Sequence, residues 1–98
     1  MGNIEVSKEV KLSAYEKAVH AQWLRKDIGT NIKERREALG MTVGELSKRT
    51  GVSVARVEKV EQGEVIFALE EIQMEILIVL ERIEDFRDGV IQRDWYVV

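Results

Sequence analysis

Apolar positions along this chain recur at helical rather than strand spacing. Ser13-Ala14-Tyr15-Glu16 fits a capping box, in which Ser13 and Glu16 serve each other's backbone amides. Tyr15, Ala18, Val19 and Leu24 follow at helical spacing, so a helix is predicted from about Ala14 to Lys26. A second helix is predicted from about Thr30 to Leu39, with Gly40 as its left-handed cap. Thr42-Val43-Gly44-Glu45 is another capping box and opens a short helix to about Arg49, in which Leu46 is the buried residue. Thr50-Gly51-Val52 then makes a corner, where Gly51 supplies the positive φ of a tight turn. Ser53 caps the next helix, Val54 to Gln62, whose Val57 and Val60 face inward behind Val52. Residues 1–12 read as an arm or a short strand.

The pattern changes after Gly63. Leu69, Ile72, Ile76, Leu80 and Ile83 form one helical stripe, while Met74, Leu77, Ile78 and Val79 widen the apolar surface beyond it. A helix apolar over more than one face is covered on more than one side. A second copy of the chain is the expected cover, with Met74, Leu77, Ile78, Trp95 and Tyr96 as the dimer interface; the alternative is that the N-terminal helix folds back over that face. The ending Val90-Ile91-Gln92-Arg93-Asp94-Trp95-Tyr96-Val97-Val98 is too apolar for an idle tail, and docks on its own domain or on a partner subunit.

Length changes this picture little: 98 residues make one domain with modest extensions, divided as an arm and extra helix (1–27), a central domain (28–83) and a C-terminal extension (84–98). Charge changes it more. The net of −3 hides a split in which residues 1–63 carry twelve basic and nine acidic side chains and residues 64–98 carry three and nine. Two surfaces of opposite sign suit different partners, although an acidic helix face is also an ordinary solvated one. The longest apolar run, Ile76 to Leu80, is far short of the ~20 residues that cross a bilayer, and no basic-then-apolar leader opens the sequence, so a cytoplasmic protein is expected.

Candidate chemistry is thin. No cysteine is present, and His20 is the only histidine, so it cannot anchor a transition-metal site alone. Glu81, Glu84, Asp85 and Asp88 share a helix face but lack the glycine and alternating oxygen ligands of a calcium loop. No serine sits in a hydrolase motif and no glycine-rich phosphate loop occurs, so no enzyme activity, metal or cofactor is expected. What remains is basic: Lys33, Arg35, Arg36, Lys48, Arg49, Arg56 and Lys59 on short amphipathic helices.

Set in order, these pieces carry a resemblance. "IGTNIKERREALGMT", "ELSKRTGVS", "VARVEKVEQG" and "ALEEI", spanning Ile28 to about Leu80, resemble the lambda-repressor-like helix-turn-helix domain of the Cro and Xre type. The resemblance implies an all-α, compact helix-turn-helix bundle, here with an added N-terminal helix and a long C-terminal helix. It also implies sequence-specific binding of double-stranded DNA by a homodimer on a palindrome, with the helix from Val54 in the major groove. Carried onto this sequence, Ser53, Val54, Ala55, Glu58, Lys59 and Gln62 hold groove-facing positions, Arg56 and Lys48 suit phosphates, and Arg36 with Glu61 occupies the family's structural ion-pair positions.

The chain departs from the family at Val43 and Val54, where many members carry a cooperating pair of glutamines. A valine pair packs together and offers a methyl contact to thymine, and Glu58 can accept from a cytosine amino group. Phe67 stands where the family commonly has proline, and the glycine that splits the fourth helix from a fifth is missing, which makes one long helix of the terminal half. The leading expectation is a small homodimeric transcriptional repressor or regulator. Two others follow from the charge split and the departures: an antitoxin or autoregulator whose acidic C-terminal half also holds a protein partner, and a protein-interaction module that has lost DNA binding.

Overall fold

A computed structural model describes residues 13–89, all of whose regular structure is helical. The helices are α1 (Ala14–Ala38), α2 (Val43–Thr50), α3 (Val54–Glu61) and α4 (Leu69–Arg87). The expected arm of residues 1–12 and the apolar ending with Trp95 and Tyr96 lie outside the described residues.

Local chemistry sets most boundaries. Ser13 Oγ accepts from the Glu16 amide at 3.1 Å while Glu16 Oε1 accepts from the Ser13 amide at 2.9 Å, so α1 starts on a complete capping box. Thr42 and Glu45 repeat the arrangement at the start of α2, at 3.1 and 2.8 Å. Gly51 ends α2 at φ +77°, and its amide donates to Ser47 O at 2.8 Å. α4 begins differently: Ala68 holds the left-handed conformation at φ +57° and offers no side-chain cap.

One expectation is corrected. The helices predicted at Ala14–Lys26 and Thr30–Leu39 are a single helix, α1, of 25 residues. Gly29 lies between the two predicted segments, but a lone glycine inside a helix costs only ~1 kcal/mol relative to alanine and does not break it. Its lack of a side chain is used instead: a Cβ there would stand 2.4 Å from Val60 O and 2.6 Å from Glu61 O, so α3 ends directly against the α1 backbone. Gly63 packs nearly as closely, over Lys26, where a Cβ would stand 2.7 Å from its Cγ and 2.9 Å from its Cα.

Among the described residues seven form the core: Ile32 from α1, Leu46 from α2, Val57 and Val60 from α3, and Ile72, Ile76 and Leu80 from α4. Full burial of each such side chain contributes about 1.5–3 kcal/mol. Leu69, Leu77 and Val79 pack around this core half-buried, while Met74 and Ile78 remain exposed. The N-terminal helix covers α4 only at its beginning, where Ala21, Leu24 and Ile28 line a groove with Leu69 and Gln73. Residues 14–20 run on past the bundle, roughly 10 Å at 1.5 Å per residue, and residues 14–24 are exposed throughout.

Candidate nucleic-acid interface

The corner between α2 and α3 is fixed by side chains reaching the backbone. Ser47 Oγ donates to Val52 O at 2.6 Å, Thr50 Oγ1 donates to Leu46 O at 2.9 Å, and the Val52 amide donates to Thr50 Oγ1 at 3.1 Å. The buried Leu46, Val57 and Val60 then hold the two helices on one core. These contacts leave the angle between α2 and α3 little freedom.

A second anchor fixes α3 relative to α1. Arg36 donates from Nε to Glu61 Oε2 at 2.7 Å and from Nη2 to Glu61 Oε1 at 3.0 Å, a bidentate pair whose side chains are 9% and 7% exposed. The third guanidinium nitrogen, Nη1, donates to Met41 O at 2.8 Å, so one side chain joins the end of α1, the turn before α2 and the end of α3. The Glu61 hydrogen bond raises the Arg36 pKa above its ordinary value, and the charge is permanent. Arg25 adds a bond from Nε to Gly63 O at 3.3 Å, just past α3. Arg25, Lys26 and Gly29 therefore belong to the frame that aims α3; sequence reading passed over them because nothing in the local pattern pairs them with residues some thirty positions away.

With Val57 and Val60 buried, helical geometry turns Ala55, Glu58, Lys59 and Gln62 directly outward, flanked by Val54 and Arg56. Ser53 caps the helix, its Oγ accepting from the Arg56 amide at 3.3 Å. Val54 is 43% exposed, whereas Val43 at the start of α2 is half-buried against the core. The two valines thus differ: one is available to a ligand and the other serves packing. Lys48 is exposed on α2. Lys33, Lys48, Arg49, Arg56 and Lys59 form no ion pair among the described residues, and neither does Glu58.

The rest of the basic set is spent inside the fold. Arg36 is held by Glu61, and Arg35 donates to Glu84 through Nε at 2.8 Å and Nη2 at 2.6 Å. Arg35 thereby neutralises part of the acidic face expected on α4 and holds the Glu84 carboxyl below the usual glutamate range.

The helix N-termini are unequal as well. α2 carries Glu45 in its first turn, where the carboxylate already takes the Thr42 amide and is itself held below the ordinary glutamate pKa by that hydrogen bond. α3 has no acidic residue in its first turn. Its free amides and partial positive charge suit a phosphate or base acceptor better than those of α2. No group of acidic, histidine or cysteine side chains among the described residues is placed to hold a metal ion, and no helix there is long and apolar enough to cross a membrane.

Residues 27–73, just under half of the chain, match the family model described as a helix-turn-helix domain. The match begins inside α1, close to the point where that helix enters the bundle, and ends in the first turns of α4. No curated protein and no solved structure matches the chain.

Proposed function

We propose that this chain, whose residues 27–73 match a helix-turn-helix domain model, is a sequence-specific DNA-binding transcriptional regulator that acts as a homodimeric repressor on a palindromic operator. The observation that carries this reading is the outward face of α3. It presents Ser53, Val54, Ala55, Arg56, Glu58, Lys59 and Gln62 with no internal ion pair, on a helix held rigidly by the Arg36–Glu61 pair and the Ser47 and Thr50 bonds of the corner. In a helix-turn-helix the second helix enters the major groove and presents its side chains to base edges.

The residues then divide by role. Arg56 and Lys48 neutralise phosphates, while Lys59 and Gln62 reach base edges as donors and Glu58 accepts from a cytosine amino group. Val54 offers its exposed methyl groups to a thymine methyl. Val43 acts indirectly, by packing α2 against the core behind α3.

Titration of DNA with the Arg56→Ala and Lys59→Ala variants tests these roles. Loss of a phosphate contact at Arg56 weakens binding to all sequences and lowers the salt slope by about one unit. Loss of a base contact at Lys59 costs about 1–3 kcal/mol on the operator and relaxes the preference at one position. Wild-type affinity in both variants would remove α3 as the reading surface.

A further inference from the structure

We propose that the homodimer of the preceding section forms through the projecting half of α1, where Tyr15, Val19 and Trp23 of one copy pack across a two-fold axis on the same residues of a second copy. The proposal deepens the homodimer part of that reading. Its tests use no DNA, so it stands or falls separately from the assignment of α3.

α1 is apolar on two sides. Ala21, Leu24 and Ile28 turn to the groove with α4, and Ile32 continues into the core. Tyr15, Val19 and Trp23 lie on another side of the helix and are 77%, 46% and 59% exposed. Their spacing of four builds a ridge, and a concave strip separates it from Glu16 and His20, with the His20 and Trp23 rings stacked at 6.1 Å.

The pattern is its own complement. An antiparallel two-fold axis at Val19 places Tyr15 of one copy beside Trp23 of the other, twice, around a Val19–Val19 contact. In the same register Glu16 faces Gln22 and Lys17 faces Ala21, so no like charges meet. Such an isologous contact closes at two copies.

Charge argues against the other exposed apolar surface, Met74 and Ile78 on α4. The same operation centred between those residues sets Glu71 against Glu81 on both sides, nearer the contact line than the opposed Glu70 and Arg82, whose attraction offsets that clash only in part. Opposed carboxylates destabilise such a pair. Pairing through α1 also leaves α3 uncovered, because α3 meets α1 beyond Trp23, at Gly29, and Gly63 just past α3 meets Lys26.

The contact is modest. Two aromatic side chains per copy, at ~150–250 Å² each when fully buried, leave the stripe below the ~1,200–2,000 Å² of a standard stable interface. A dimer in the micromolar range is therefore expected, one that two adjacent half-sites on DNA would reinforce.

Sedimentation equilibrium of the full chain over about 1–100 μM tests the inference. Wild type is expected to associate to a dimer, Val19→Glu to remain monomeric with its helical circular dichroism intact, and Ile78→Glu to dimerise like wild type. Because the chain has no cysteine, Val19→Cys supplies a second reading: mild oxidation should link two copies through residue 19, whereas Ile78→Cys should stay unlinked. A wild-type monomer across the range, a Val19→Glu dimer, or preferential linkage through residue 78 would overturn the proposal. A monomer in which Trp23 is shielded from a fluorescence quencher would do so by showing that the chain's own ends cover the stripe.

Discussion

The side chain with the widest reach is Arg36. Its three nitrogens meet Glu61 and Met41, and it lies buried with its partner, so losing one half of the pair strands a charge. Arg36→Ala or Glu61→Ala is expected to cost about 3–5 kcal/mol in chemical denaturation, whereas an apolar pair such as Arg36→Met with Glu61→Leu should recover most of that loss. Near-additive single and double variants would show that the ion pair does not unite α1 and α3. Arg35 and Glu84 are about three times as exposed, and their link predicts a pH dependence. Glu84 has a lowered pKa in the folded chain, so its contribution is present above the ordinary glutamate value of ~4.3 and lost as pH falls through the folded value. Stability should therefore decline in that acidic window, and Glu84→Gln should decline less steeply when thermal melts are compared at pH 3 to 6, a range set by the same pKa values. The two arginines adjoin in sequence and both were visible as basic residues. The resemblance placed Glu61 with Arg36, but Glu84 was not legible as the partner of Arg35, since it lies 49 positions away and local charge spacing carries no information over that range.

Among the elements, α2 and α3 were the most legible, because their signals are local: Thr42 with Glu45, Gly51 and Ser53 all act within a few residues. The stripe of Ile72, Ile76 and Leu80 likewise marked the buried face of α4. α1 is least legible at its centre, where the two predicted helices join through Gly29, a residue whose role is a contact in the fold. Propensity and packing make opposite predictions for Gly29→Ala. Helix propensity alone would favour alanine by ~1 kcal/mol, but a Cβ at 2.4 Å from Val60 O forces the helices apart. The substitution is expected to destabilise the domain by at least 2 kcal/mol in urea unfolding, an overpacking effect of the usual size. It should weaken DNA binding as well, by displacing α3. A stabilised Gly29→Ala variant would mean that α1 and α3 are not in contact at this point.

At the scale of the molecule, a seven-residue core supports a bundle from which α1 projects. The division of charge read from the sequence survives in altered form. Two of the seven basic side chains of residues 29–63 are consumed by Glu61 and Glu84, leaving Lys33, Lys48, Arg49, Arg56 and Lys59 exposed for a polyanion. Among the described residues after Gly63 the acidic surplus lies largely on α4, where Glu70, Glu71, Glu75 and Glu81 are exposed, which makes that helix a poor partner for its own copy. Periodicity could find the apolar surfaces of α1 and α4, but it could not tell which of them faces the core. That choice depended on where the continuous α1 directs Tyr15, Val19 and Trp23, a matter of helix phase that a break at Gly29 would have changed. The central claim is that α3 reads DNA in the context of a two-fold dimer, and selection of bound sequences from a random double-stranded pool tests it most directly. The account predicts enrichment of a two-fold symmetric motif whose half-sites are centred about 34–36 Å apart, with binding that weakens steeply as salt rises. A pool that emerges without an enriched motif, or one whose motif is unchanged when Val54, Glu58 and Lys59 are all replaced by alanine, would contradict it.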